Sequence, residues 1–190
     1  QKALLKIRDE TGVRLWGPNC MGLVDAVNRH VFSFVLPGIW EDGLMPGEVS
    51  LIVQSGMLSA GFLIDTVSHG TMGISKACSI GNKADVDELD LLRFFHNDTD
   101  TEVIMLYLEE LRRGPEFIEV VKEITCGDIR PTPVLVIKSG RTSAGAQAAA
   151  DPAKGAGLDL HVHPFGQHVV LGVGAQVLAA VVPPRRHPLE

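Results

Sequence analysis

Cysteine is scarce in this chain, and its distribution argues against a disulfide framework. The 190 residues include only Cys20, Cys78 and Cys126. Three widely spaced cysteines, an odd number, are typical of reduced thiols in a cytoplasmic protein rather than of a small secreted scaffold. We therefore expect a cytoplasmic protein with free thiols.

Long apolar runs and excess positive charge are also lacking. No apolar run reaches the roughly 20 residues that a membrane helix needs, and no charged and then apolar leader opens the chain. The net charge is -6 and the isoelectric point is about 5.6. A chain without a positive field is a poor partner for nucleic acid or an anionic membrane surface. We expect neither partner.

The composition that is present predicts one folded domain. Apolar residues make up 45% of the chain and charged residues 21%, which is typical of a globular protein. Gln1 is not a natural start, so we expect a fragment of a longer protein. Residues 1–150 are predicted to form the domain, and residues 151–190, where strand and helix signals are weak, a divergent or artefactual segment of it.

Strand and helix patterns alternate along residues 13–142. Buried strands flanked by glycine alternate with amphipathic helices, which predicts a three-layer α/β fold with a parallel sheet and helices on both faces. A helix should end near Thr11, and residues 31–47 look irregular. The predicted strands are Val13–Trp16, Val49–Val53, Gly73–Ile80, Val103–Leu108 and Val134–Ile137, and the predicted helices are Met57–Ser68, Val86–Phe95 and Pro115–Thr125.

Polar segments follow four of these strands, and three of the segments contain glycine. Ligands of parallel α/β sheets gather at the carboxyl ends of the strands, so these segments predict one binding edge. They are Gln54-Ser55-Gly56, Gly81-Asn82-Lys83, Glu109-Glu110 and Lys138-Ser139-Gly140-Arg141.

An ordered set of motifs resembles one enzyme family. The segments "RLWGPNCMGLVD", "GEVSLIVQSGML", "SIGNKADVDELDLLRFF", "EVIMLYLEEL" and "PTPVLVIKSGRTSAGAQAAA" are similar to the acyl-CoA synthetases that form ADP or GDP. ADP-forming acetyl-CoA synthetase is one of these, and the α subunit of succinyl-CoA synthetase is a more distant relative. The resemblance covers residues 10–150 and implies their second, flavodoxin-like CoA-ligase domain.

The resemblance implies a reaction and its partners. Family members interconvert acyl-CoA, nucleoside diphosphate and phosphate with carboxylate, CoA and nucleoside triphosphate through a phosphohistidine on a mobile loop. CoA would be a substrate, and Mg-ADP or Mg-ATP would be held by an ATP-grasp domain or subunit. A Rossmann-like CoA-binding domain would be a further partner, and a homodimer is possible. This chain carries neither partner domain, and we expect no metal bound by the chain itself.

Two site assignments follow from the resemblance to the family. Ser55, Gly56 and Met57 match the start of the helix that faces phosphate, where amide donors and the helix dipole favour an anion. The alternative is that Ser55 merely caps the helix. Glu109 matches the carboxylate that orients the active histidine, and a solvated acid at the strand end, with Glu110 as its competitor, is the alternative.

Two loops complete the implied site. Gly17, Pro18, Asn19 and Cys20 resemble the loop near the thiol end of CoA, with close backbone approach at Gly17 and Gly22. No basic residue adjoins Cys20 in the sequence, so an inert buried thiol is at least as good an interpretation as a reactive one. The second loop holds Gly81, Asn82, Lys83 and Asp85 at the edge of the active site; alternatively Asp85 caps a helix and Lys83 is solvated.

The sequence departs from the family at the phosphate carrier. After "AGAQAAA" the family has Ser-His-Thr-Gly, whereas this chain has Asp151-Pro152-Ala153-Lys154. Proline cannot carry a phosphoryl group, so the chain is predicted to be inactive by itself. The loss could equally come from a reading-frame shift.

Of the four histidines that follow this point, His161, His163 and His168 are the candidates to replace the carrier. None stands where the family has its histidine, and exposed histidines are a better interpretation than a metal site. Two other functions remain open: a silent acyl-CoA-sensing domain of a protein acetyltransferase, and a plain flavodoxin-like binding or receiver domain.

Overall fold

The computed structural model describes residues 1–34, 44–70, 72–127, 130–139, 170–173 and 176–181. Four helices and eight strands lie in these ranges. In chain order they are α1 (Lys2–Thr11), β1 (Gly22–Asp25), β2 (His30–Ser33), β3 (Pro46–Val53), α2 (Gly56–His69), β4 (Ile74–Ser79), α3 (Glu88–Asn97), β5 (Val103–Leu108), α4 (Gly114–Cys126), β6 (Val134–Lys138), β7 (Val170–Val173) and β8 (Gln176–Val181).

All eight strands form one mixed sheet in the order β2-β1-β4-β3-β5-β6-β8-β7. The four central strands, β4, β3, β5 and β6, are parallel. β1 and β2 extend one side antiparallel, and β8 and β7 extend the other. The predicted parallel sheet is therefore correct for its centre, and the antiparallel margins were not foreseen.

Alternation along the central strands builds a core on each face. In β3, Ile52 packs in the cluster that contains Phe95 of α3 and Phe117 of α4. Its neighbours Leu51 and Val53 belong to the opposite cluster, which contains Leu63 of α2. Because successive strand residues point to opposite faces, one apolar run supplies both cores. The predicted α/β class with helices on both faces is confirmed.

Two sequence predictions for residues near the β1–β2 hairpin are wrong. The predicted strand Val13–Trp16 is absent, because residues 12–17 make no ladder. There, the Leu15 N–H donates to the Asp85 carboxylate and the Trp16 indole donates to the Ser79 carbonyl, so side chains hold this segment. Part of the interval 31–47 that was predicted to be irregular belongs to β2 and β3.

The start of α3 corrects the cap prediction. Asp87, not Asp85, is the N-cap, and its carboxylate accepts the Leu89 and Asp90 N–H groups. The Asp90 side chain in turn accepts the Asp87 N–H at 3.2 Å, which completes a capping box. The helix thus begins two residues later than the apolar pattern at Val86 predicted.

Candidate functional site

The carboxyl ends of the four parallel strands are neighbours at one edge of the sheet. We call the residues that follow them the rim: residues 54–56 after β3, 81–83 after β4, 109–110 after β5, and Ser139 with the last residue of β6, Lys138. Adjacent parallel strands bring their carboxyl ends to the same side, which is where such folds bind ligands. Gly140 and Arg141 lie outside the described residues.

Helix α2 begins on the rim. Ser55 is its N-cap, with extended backbone angles, and its Oγ accepts the Leu58 N–H at 3.3 Å. The capping interpretation is therefore correct. It leaves an anion site open, because the amides of Gly56 and Met57 occupy the first helical positions, where no intrahelical acceptor exists. Met57 lies at the surface, with 88% of its area exposed.

The two acids after β5 differ in their contacts. The carboxylate of Glu110 accepts a hydrogen bond from Arg112 Nε at 3.0 Å, and its side chain is 11% exposed. The alternative of a solvated strand-end acid therefore does not describe Glu110. Glu109 is half-buried, and its backbone contacts both neighbouring strands. The assignment of Glu109 as the orienting carboxylate stays a prediction.

Lys83 is buried, not solvated. Its Nζ lies 3.0 and 2.9 Å from the two carboxylate oxygens of Glu88, and both side chains are almost completely inaccessible, at 1% and 2% exposure. The same Nζ donates to the Glu110 carbonyl at 2.6 Å. Lys83 therefore links the turn after β4 to the end of β5 and stabilises the rim. The sequence analysis did not point to Glu88. The helix pattern places this acid on the core face, but it does not show which cation pairs with it.

The loop predicted to adjoin the CoA thiol packs against the β4 turn. Asn82 N donates to the Pro18 carbonyl at 2.9 Å, and Ala84 N donates to the Gly17 carbonyl at 2.8 Å. A side chain at Gly81 would lie 2.3 Å from the Asn19 carbonyl oxygen, so this contact requires glycine. The structure thus brings together the two predicted loops.

The predicted close approaches at Gly17 and Gly22 are made inside the protein. A Cβ on Gly17 would lie 2.7 Å from Cys20 Sγ, and a Cβ on Gly22 would lie 2.0 Å from the Phe32 carbonyl oxygen. Burial raises the pKa of the Cys20 thiol, and a hydrogen bond from the Gly22 backbone opposes this only in part. A thiol held protonated is a poor nucleophile, which favours the inert interpretation of Cys20.

Asp85 binds the segment that precedes the thiol loop. Its carboxylate accepts hydrogen bonds from Arg14 Nε at 2.9 Å and from Leu15 N at 2.8 Å. Burial opposes ionisation, but these bonds and the charges of Arg14 and Arg8 lower the pKa of Asp85. Its contacts make Asp85 a structural anchor of the segment before the thiol loop.

The site prediction missed the rim residues Gln54 and Lys138, and also Arg112, which contacts the rim at Glu110. Gln54 Oε1 accepts the Glu109 and Glu110 N–H groups, both at 2.9 Å. Lys138 Nζ donates to the Glu109 carbonyl at 2.8 Å. The strand-end pattern contained Gln54 and Lys138, but only the strand order shows that they reach the β5 end. Within the described residues, no cluster of histidine, cysteine and acids could hold a metal ion.

Comparison with known proteins decides the family. The profile described as "Succinyl-CoA ligase like flavodoxin domain" matches residues 46–161, more than half of the chain. The chain belongs to this family. The chain is also 36% identical over 150 residues to the α subunit of acetate–CoA ligase [ADP-forming] I of Pyrococcus furiosus. These residues make up 79% of the chain and 30% of the relative. The chain thus spans less than a third of that relative's length.

A second curated relative and a solved structure extend this likeness. The 4-hydroxybutyrate–CoA ligase [ADP-forming] of Nitrosopumilus maritimus is 34% identical over 149 residues, 78% of this chain and 20% of the relative. The dinucleotide forming acetyl-coenzyme A synthetase 1 of Ca. Korarchaeum cryptofilum, solved with phosphate and ADP, superposes with a TM-score of 0.69 at 39% identity, over 78% of this chain and 30% of that one. The resemblance drawn from the motifs is confirmed.

Three remaining predictions concern membrane helices, the residues at the carrier position and the domain boundary. None of the helices in the described residues has the length and apolarity to cross a membrane. Positions 151–154, His161, His163 and His168 lie outside the described residues. The proposed boundary near residue 150 stays a prediction, although β7 and β8, which come later in the chain, pair into the same sheet.

Proposed function

We propose that this domain supplies the phosphate-facing part of an acyl-CoA synthetase that forms a nucleoside triphosphate. The full protein would convert acyl-CoA, nucleoside diphosphate and phosphate into carboxylate, CoA and nucleoside triphosphate. The observation that carries the proposal is the start of α2 beside the end of β5, because it sets amide donors next to a carboxylate. The solved relative, whose description names phosphate and ADP, supports this assignment.

Each rim element has a role in this proposal. The amides of Gly56 and Met57, with the Ser55 hydroxyl, would hold a phosphate oxygen, since a helix start favours negative charge. Glu109 would accept the ring N–H of the phosphorylated histidine, which fixes the tautomer and stabilises the charged ring. The thiol loop, residues 17–20, and the turn at Gly81, Asn82 and Lys83 would form the wall next to the CoA thiol. A CoA-binding domain and an ATP-grasp partner would complete the site.

The chain itself is proposed to be unable to carry the phosphoryl group. Pro152 stands where the family has its histidine, and a proline nitrogen within the chain has neither a proton nor a free electron pair to offer. Cys20, Cys78 and Cys126 are free thiols, which supports the cytoplasm as the compartment.

Radiolabelling tests both parts of this proposal. The chain is incubated with an ATP-grasp subunit of a related synthetase and ATP labelled at the γ-phosphate. We expect no acid-labile label on the native chain. The variant Asp151→Ser/Pro152→His/Ala153→Thr/Lys154→Gly restores the family motif and should become labelled. Stable labelling of the native chain would contradict the loss of the carrier.

A matched pair of variants then tests the role of Glu109. In the restored background, Glu109→Gln should slow labelling by roughly a hundredfold, which is the scale of general acid–base and orienting contributions. Glu110→Gln is the control, since Arg112 already occupies that carboxylate. Equal rates for the two variants would remove Glu109 from the mechanism.

A silent acyl-CoA-sensing domain is the second candidate, and one observation favours it: the rim is intact although Pro152 replaces the carrier. Such a domain would bind acyl-CoA without turnover and be joined to an acetyltransferase domain. Sequencing the parent gene across codons 145–160 and beyond decides between them. A histidine codon in the correct frame would favour the synthetase, and a fused acetyltransferase would favour the sensor.

A further inference from the structure

Gln54 joins the start of α2 to the end of β5. Its backbone N–H donates to the Tyr107 carbonyl at 2.9 Å, which is the last backbone bond between β3 and β5. Its side chain then continues the ladder, because Oε1 accepts both the Glu109 and the Glu110 N–H at 2.9 Å. Gln54 is 3% exposed, so water does not compete for these bonds. One side chain therefore replaces two backbone acceptors beyond the strand.

The peptide groups of Glu109 are held from two sides. Gln54 takes its N–H, and Lys138 Nζ donates to its carbonyl at 2.8 Å. The next backbone bond, from Ser139 N to the Leu108 carbonyl at 2.9 Å, fixes the residue before it. When both polar groups of a residue are fixed, the direction of its Cα–Cβ bond is fixed too, which is what a functional side chain needs.

The orientation of the Gln54 amide is determined by its neighbours. Two N–H donors face one terminal atom, which must be the oxygen, so the nitrogen occupies the other position. This Nε2 is buried and is the side-chain atom that has no hydrogen-bond partner among the described residues. A buried donor without a partner costs about as much as the accepted bonds contribute. The balance favours a role in geometry over one in stability.

We infer that Gln54 is a positioning residue that sets the direction of the Glu109 side chain relative to the start of α2. The inference rests on the proposed function of Glu109 and adds the residue that aims it. Gln54 acts through the two amides and needs no contact with substrate.

The test measures the Glu109 side chain directly. Residual dipolar couplings of its Cα–Cβ bond, which report the direction of that bond, are recorded by NMR in the native chain, in Gln54→Met, which lacks the carbonyl acceptor, and in Gln54→Asn, which is one methylene too short. The native couplings should fit the bond direction in the structure, and both variants should lose that fit. Exchange of the Glu109 and Glu110 amides should accelerate by on the order of tenfold.

Leu106 is the control within the same spectra. It lies inside the ladder between β3 and β5, opposite Ile52, so the direction of its Cα–Cβ bond should not change. A Glu109 bond direction that persists in a folded variant would overturn the inference. Native Glu109 couplings that do not fit the bond direction in the structure would overturn it as well, even if neither variant folds.

Inorganic phosphate added to the same samples separates this inference from the proposed function. Shifts at the Gly56 and Met57 amides support the anion site. If phosphate shifts neither amide while Gln54→Asn changes the direction of the Glu109 Cα–Cβ bond, the phosphate proposal fails and the positioning role stands. If phosphate shifts both amides and the bond direction is unaffected, the reverse holds.

Discussion

The two ends of the parallel strands use buried charge differently. At the amino end, Lys76 lies 2.7 Å from Asp98 and 3.4 Å from Asp100, so one cation is enclosed by carboxylates. At the carboxyl end, Lys83 and Lys138 donate to backbone carbonyls of the residues after β5. Lys76 therefore joins side chains to each other. Lys83, which also pairs with the Glu88 carboxylate, and Lys138 bind the backbone of the residues after β5.

We interpret the amino end as structural and the carboxyl end as the proposed functional one. Ion pairs at the amino end hold the helix-to-strand turn at Asp98, where Thr101 also donates to the Asp98 carboxylate at 2.6 Å. Backbone anchors at the carboxyl end fix where the amides of α2 and the carboxylate of Glu109 stand. A site that must present groups to a ligand is better served by fixed backbone than by mutually satisfied side chains.

The largest expected effect comes from breaking the buried pair under the rim. Lys83→Met leaves the Glu88 carboxylate in the core without its cation, which should cost about 3–5 kcal/mol of unfolding free energy. Urea denaturation measures it. Lys83→Met/Glu88→Leu should recover much of that loss, and Glu116→Gln, in an exposed pair with Arg113, should change little. A single variant as stable as the double variant would mean that the pair is not buried.

At the amino end, Asp98→Asn should destabilise the chain by about 1.5–3 kcal/mol, because it removes charge-assisted bonds from Lys76 and Thr101. Urea denaturation again measures the change. The comparison predicts that phosphate binding at the rim stays as in the native chain. Weaker phosphate binding in this variant would show that the two ends are coupled.

Acid should weaken both ends through two carboxylates. Burial opposes ionisation of Asp98, but its bonds from Lys76 and Thr101 lower its pKa in the folded chain, and Arg14 and Leu15 lower that of Asp85. A lowered folded pKa stabilises the chain above the unfolded value of 3.8, and this contribution is lost as the pH falls through the folded value. Urea midpoints at pH 2–6 should fall less steeply in Asp98→Asn. Parallel curves would contradict this assignment.

The smallest effect on stability is expected at Ser55. Ser55→Ala removes the N-cap and should cost about 1 kcal/mol of unfolding free energy. Ser55→Asp keeps a good cap, but its charge should repel an anion, so phosphate binding should be lost with little change in urea midpoint. If Ser55→Asp binds phosphate as the native chain does, the helix start is only a cap.

The central strands could be predicted because each is a short apolar run bounded by glycine or polar residues. β5 was predicted at its observed bounds, Val103–Leu108, and β6 ends one residue later than predicted. β1 and β2 escaped prediction because four-residue strands at a sheet margin carry little periodicity. The Val13–Trp16 error is the reverse case. A short apolar segment held by side-chain bonds has the composition of a strand and was wrongly predicted to be one.

The site could be predicted only to the level of strand ends. The motifs named Ser55, Glu109 and the two loops, and the strand order brings their positions together. The partners of Lys83 and Gln54 could not be foreseen, because Glu88, Glu109 and Glu110 reach them through tertiary packing. Asp85 and Asp87 are both plausible caps in sequence. The Leu89 and Asp90 N–H groups that donate to Asp87, and the Leu15 N–H that donates to Asp85, separate them.

A phosphate titration of the ¹⁵N-labelled native chain tests the anion-binding rim most directly. The largest amide shifts should fall on Gly56, Met57 and Leu58, followed by Glu109, and the Lys76–Asp98 cluster should not respond. Shifts that saturate at the amino end instead, or no response at the start of α2, would contradict the assignment of the carboxyl-end rim as the phosphate-facing site.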